Sequence, residues 1–258
     1  MTPLDTAHGQ MMANAEDDAA RLKFFERLAD SEVFVLLEQE AEGQAIVPRL
    51  FEIPQGSFIL IFDREDRLTE FAGGEAAYAG LSGRALCQMI AGQGYGLGLN
   101  LEVAPSSFLV PSEAVDWLVE TLTHTPEETE DTPQDLSPPV GLPETLVVAL
   151  DTKLATAQGL ARMAYLAGVT YSSGRRSHIL ACVDAIAGAE TALAHATNEA
   201  LTFSGIDAGQ IDVAFFAATH PISATLARVG LRFDLPKLPE ATSPSAPGMD
   251  PEKPPRLV

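Results

Sequence analysis

The chain predicts an α/β (α+β) protein built as two mixed α/β domains. Their sheets are expected to be largely antiparallel or mixed, and an acidic, proline-rich linker joins them. Three observations carry this. Short apolar runs alternate with stretches of helical periodicity along most of 258 residues. The early strands are joined by connections too short for a crossover, which makes neighbours antiparallel. Composition breaks sharply at 123–142, where five acids and four prolines (Pro126, Pro133, Pro138, Pro139) fall together.

Residues 1–14 read as a flexible leader, and a first domain is expected over 15–122. Its opening helix covers about 15–29, with Leu22, Phe25 and Leu28 on one face and Glu16, Asp17 and Asp18 in the first turn, where the helix dipole favours acids. Val33-Phe34-Val35-Leu36-Leu37 is a continuous apolar run, the mark of a strand covered on both faces. Further strands follow near 45–53 and 58–62. Asp63 is placed to cap a short helix bearing Leu68 and Phe71. A helix from Ser82 ends at Gly92-Gln93-Gly94. Residues 96–101 and 108–110 read as strands, and a helix from Pro111-Ser112 turns Val115, Leu118, Val119 and Leu122 inward.

After the linker, a second domain is expected over 143–235. Pro143 opens a helix striped with Leu146, Val147, Leu150 and Leu154. Strands over 161–170 and 177–183 precede an alanine-rich helix at about 189–204. A strand at 211–216 and a short helix from His220-Pro221 complete it. Seven prolines after Leu235 make 236–258 a disordered tail by composition.

Charge narrows the function classes. Residues 1–122 carry 20 Asp/Glu against 7 Lys/Arg, a net of −13, and residues 143–258 carry 11 against 9, a net of −2. Such an acidic half repels nucleic-acid phosphate and anionic lipid, so neither nucleic acid nor membrane is an expected partner. No apolar run of about twenty residues offers a spanning helix. The N-terminus lacks a basic region followed by an apolar one, so it is no secretory signal. Cys87 and Cys182 fall in different expected domains, which fits free thiols in the cytoplasm.

Candidate chemistry is sparse. The run Gly92-Gln93-Gly94-Tyr95-Gly96-Leu97-Gly98 is rich enough in glycine for a phosphate loop, but it follows a helix and leads into a strand, the reverse of what a dinucleotide fingerprint needs. No Lys-Ser/Thr follows it. Glycines here fit close backbone packing. Cys87 lies near Arg84, and a nearby cation lowers a thiol's pKa, so a sulfur-carrying or enzymatic role for Cys87 is one alternative. No second thiol or paired histidine stands near it in sequence, and a semi-buried packing role accounts for it as well. His8, His124, His178, His195 and His220 form no metal-ligand spacing, so no metal site is expected. Asp63-Arg64-Glu65-Asp66-Arg67 reads as a solvated capping segment. No catalytic residue, cofactor or metal is therefore assigned. Trp117 lies beside the buried stripe of its helix. It edges the core or anchors an interface, since Trp is enriched in binding hot spots. Glu113 and Glu120 share that helix, and the three residues together are the expected binding face.

The stretch from Phe24 to Leu122 also carries a family pattern. A helix and an apolar strand lead into Phe58-x-Leu60-x-Phe62, with Leu68 and Phe71 following at fixed distance; a glycine-rich strand and a Trp-bearing helix complete it. This resembles the N-terminal domain of the SseB family, the bacterial "enhanced serine sensitivity" proteins. The order of elements over 143–235 is similar to that family's smaller C-terminal domain. What the resemblance implies is a non-enzymatic adaptor or regulator, linked to serine sensitivity and sulfur-amino-acid metabolism, with a sulfurtransferase as a protein partner. It brings no established catalytic residue. A small-ligand sensor with a pocket near the glycine-rich strand is a further alternative. Nothing in the sequence sets the oligomeric state.

Overall fold

The computed structural model describes residues 1–40, 43, 45–124, 130–205 and 211–237. Two mixed sheets with helices packed on both faces make up the described residues, as the fold class predicted. The first sheet contains β1 (Glu32–Leu36), β2 (Leu50–Ile53), β3 (Gly56–Phe62), β4 (Tyr78–Ser82), β5 (Tyr95–Leu99) and β6 (Phe108–Val110). Its order is β4-β1-β3-β5-β6, with β2 also on β3. All pairs are antiparallel except β3 with β5.

Period-two burial explains why this sheet needs cover on both sides. Val33, Val35, Ile59 and Ile61 enter a core beneath α2 (Asp18–Asp30), α4 (Gly83–Ile90) and α5 (Ser112–Thr123). Leu36, Leu60 and Phe62 face the other way, onto Leu68 of α3 (Glu65–Ala72). Gly96 is required where β5 passes β6. A Cβ there would lie 2.5 Å from the Val110 carbonyl oxygen and 2.6 Å from the Phe58 ring.

The expected leader is instead a helix, α1 (Pro3–Ala13). Thr2 caps it by accepting from the Asp5 amide at 3.1 Å, and the Asp5 carboxylate accepts from the Thr2 amide at 2.8 Å. This reciprocal capping box, with proline at the first helical position, is a strong start signal. Leu4, Ala7 and Met11 are buried in the first core.

Asp63 does not cap α3. Its N-cap is Arg64, with no side-chain bond. Asp63 accepts from the Thr2 hydroxyl at 2.6 Å and from Arg67 at 2.7 Å, and Arg67 also reaches Asp5 at 2.6 Å. Arg64, Glu65 and Asp66 are exposed, as the solvated segment expected at 63–67 requires. Asp63 and Arg67 form a buried tie that pins α1 to the sheet.

The second sheet runs β10-β9-β8-β11, with β7 also on β8. Its strands are β7 (Pro133–Ser137), β8 (Met163–Tyr171), β9 (Arg176–Val183), β10 (Ile211–Phe216) and β11 (Leu231–Asp234). Part of the stretch expected as linker is therefore sheet, because β7 pairs with the far half of β8; residues 125–129 of that linker lie outside the described residues. So do residues 238–258 of the expected tail. On one face Ala164, Leu166, Leu180 and Cys182 pack under α6 (Glu144–Leu154) and α7 (Glu190–Phe203). On the other, Tyr165, Ala167 and Ala181 meet Leu226 of α8 (Pro221–Val229).

Candidate functional site

Both thiols are core residues. Cys87 is 0% exposed, and burial pushes its thiol up to about 12. The same cause pushes Cys182 up to about 12. Nucleophilic sulfur chemistry needs the thiolate, which these surroundings disfavour. Arg84, the cation expected to assist Cys87, is committed elsewhere. The glycine run does not form an anion cradle either. Gly92 and Gly94 take left-handed φ of 72° and 76° at the helix stop, and Gly96 is closed over by Val110 and Phe58.

Arg84 belongs to a cluster of charges where the two sheet assemblies meet. Glu26 and Asp30 come from α2, Arg84 from α4, Lys153 from α6 and Glu199 from α7. The Arg84 guanidinium donates to both Glu199 oxygens at 2.6 and 2.9 Å and to Asp30 at 3.1 Å. Lys153, 5% exposed, sits 2.6 Å from Asp30, 2.8 Å from Glu199 and 3.8 Å from Glu26. Burial alone would raise the Glu199 carboxyl, but its bonds from Arg84 and Lys153 hold it below the ordinary range. Burial works against the Lys153 ammonium too, and the Asp30 and Glu199 carboxylates outweigh it, so its pKa is raised. A cleft of about 260 Å³ opens over this clasp, with His195 at its rim. Every charge in the clasp is met by an opposite one, which suits a joint between sheets. No group of three His, Cys, Asp or Glu side chains among the described residues is placed to hold a metal ion.

The predicted binding residues lie on α5. Ser112–Thr123 forms a helix because Val115, Leu118 and Leu122 repeat at helical spacing and bury against the first sheet. Glu113, Trp117 and Glu120 then share the outward face, spaced four and three residues apart. All three are exposed, and Asp116 lies beside them. Trp117 is 38% exposed. One edge of its ring meets Phe25 at 5.4 Å, and another meets Phe203 of α7 at 6.5 Å. Asp116 accepts from the Gly92 amide at 2.8 Å. Glu113 and Glu120 form no ion pair among the described residues. The result is a half-sunk indole flanked by uncommitted carboxylates.

Residues 9–117 match the family model described as the SseB protein N-terminal domain. Over that stretch the chain is similar to the SseB N-terminal domain. That match ends at Trp117 itself, so it takes in Glu113 and Trp117 and leaves Glu120 outside. No curated protein matches the chain, and no solved structure does. Among the described residues no helix is long and apolar enough to cross a membrane.

Sequence reasoning did not find the charge clasp or the tie of Asp5, Asp63 and Arg67. Their hydrogen-bonded members lie up to 123 and 62 residues apart, and no local pattern links them. The one signal available was at the N-terminus, where Thr2-Pro3-Leu4-Asp5 spells the capping box that places Asp5.

Proposed function

We propose that this protein is a non-enzymatic cytoplasmic adaptor whose SseB N-terminal domain docks a basic protein segment on the outward face of α5. The observation that carries the reading is Trp117, held at an aromatic seam with part of its ring in solvent and with Glu113 and Glu120 on either side. An indole supplies large contact area at little entropic cost, and flanking carboxylates steer and orient cations. A lysine or arginine can also lie over the ring face. Two free, buried cysteines fit a reducing compartment. The family resemblance points to a sulfurtransferase as partner and to serine sensitivity as the phenotype. We further propose that the two sheet assemblies are two domains held together across the charge clasp, with docking placed on the first. No observation favours thiol chemistry at Cys87 or a ligand pocket at the glycine-rich strand.

Capture of partners from native cytoplasm, identified by mass spectrometry, tests the reading. Trp117→Ala combined with Glu113→Lys and Glu120→Lys should weaken capture by on the order of thirtyfold, the effect of losing a 2 kcal/mol hot spot. Raising salt should weaken wild-type capture as well. Capture indifferent to these changes and to salt would remove α5 as the docking face.

A further inference from the structure

Edge strands expose unpaired backbone donors and acceptors, and proteins that stay monomeric blunt them with charge, proline, glycine or brevity. The described edges mostly follow that rule. β6 has three residues, β4 carries Gly80 at its centre, and β2 carries Glu52. β7 begins at Pro133 and contains Asp135, and β11 carries Arg232 and Asp234.

β10 does not. Its sequence is Ile-Asp-Val-Ala-Phe-Phe, six residues with no proline or glycine. The single charge, Asp212, is drawn back into the protein, accepting from the Tyr171 hydroxyl at 2.8 Å and lying 3.1 Å from Arg175. One side of β10 pairs in parallel with β9 from Ile211 to Phe216. Among the described residues no strand pairs with the other side. The strand beyond Ile211 is half-covered rather than open, so its apolar side chains are already seated on the two cores while its edge stays unpaired.

We infer that β10 is a self-association edge, pairing antiparallel with β10 of a second copy to make one continuous sheet across a dimer. A two-fold axis normal to the sheet keeps equivalent side chains on one face, so the residue at the axis faces its own copy. Registers centred on Val213 or Ala214 use nearly the whole strand. They also set each Asp212 opposite an apolar residue instead of opposite its twin. Charge favours a copy of this chain meeting here: the half that carries β10 is near neutral, at −2, so like-charge repulsion between two copies is least on this half.

Sedimentation of the full chain across a wide concentration range tests the inference. The expected species has twice the 27.4 kDa chain mass, and Val213→Lys or Ala214→Lys should return it to a single chain while far-UV circular dichroism stays native. Should the lysine variants fail to fold, single cysteines decide. Directly opposed antiparallel residues lie roughly 4.5–5.5 Å apart between Cα atoms, within disulfide reach. Val213→Cys or Ala214→Cys should therefore give a covalent dimer on mild oxidation, while Phe51→Cys, exposed on β2, should not. Cys87 and Cys182 are buried and stay silent. A single-chain mass at every concentration overturns the inference. So does a dimer that persists in the folded lysine variants. A monomer whose β10 amides resist hydrogen exchange also overturns it, because the edge would then be covered by the same chain.

Discussion

His8 is the residue whose chemistry least suits its surroundings. It is buried between the Phe24 and Phe108 rings, at 5.8 and 5.4 Å, and its Nε2 has no partner among the described residues. Burial lowers its pKa from the ordinary 6.5, although Asp5 and a backbone bond at Pro105 pull the other way. A depressed histidine favours the fold while it is neutral. Its contribution is complete above the unfolded value and is lost as pH falls from 6.5 toward the lower folded value. Wild-type stability should therefore drop between pH 7 and pH 5, and His8→Phe, which keeps an aromatic ring between its two neighbours, should flatten that slope. Urea midpoints across the range give the answer; an unchanged slope would mean His8 does not govern it. The Asp5 carboxyl confines the effect to histidine in this window. Burial would raise it, but Arg67 and Ser106 hold it far below the ordinary carboxylate range, so it stays charged throughout.

At the scale of elements, legibility followed how local the cause was. The strands β1, β3, β8 and β9 lie in the sequence as short continuous apolar runs, and the stripes of α2, α5 and α7 as period 3.6. β4 and β11 were missed for the opposite reason. Tyr78–Ser82 carries a central glycine and Leu231–Asp234 carries two charges, and each is a strand only because β1 or β8 offers it an edge. The clasp is the extreme case, since four helices contribute to it. Buried ion pairs gain little over apolar packing, yet removing one partner strands the others. Lys153→Met leaves Asp30, Glu26 and Glu199 with a net excess of negative charge, and should cost about 3–5 kcal/mol in denaturant unfolding. The cost should also depend on pH. Glu199 is held below its ordinary 4.5, so the clasp contributes fully above that value and is lost as pH falls through the folded value. The raised Lys153 is lost only on the alkaline side. A loss below 1 kcal/mol at neutral pH would show that water already screens the cluster.

Two sheets need not mean two independent folding units in the whole molecule. Phe203 belongs by sequence to the alanine-rich helix of the second half, yet it is 1% exposed and lies in the core of the first. Two residues on, a Cβ at Gly205 would sit 3.0 Å from the Ala19 backbone, so the end of α7 lies directly against α2. With the clasp beside it, this seam couples the halves by both apolar burial and charge. The chain holds a single tryptophan, Trp117, and its ring touches that seam. Guanidinium unfolding followed by Trp117 fluorescence and by far-UV circular dichroism should therefore give coincident transitions. Phe203→Ala should cost about 3–5 kcal/mol, as large aromatic truncations in cores do. It should also separate the two curves, because the second sheet keeps its own core under α6 and α8. Cleavage of the wild type between Thr123 and Pro133 should release no free fragment, since the two pieces stay joined across the seam and elute together. Fragments that separate on a native column, or probes that disagree in the wild type, would show that each half folds alone and that Phe203 only rests against its neighbour.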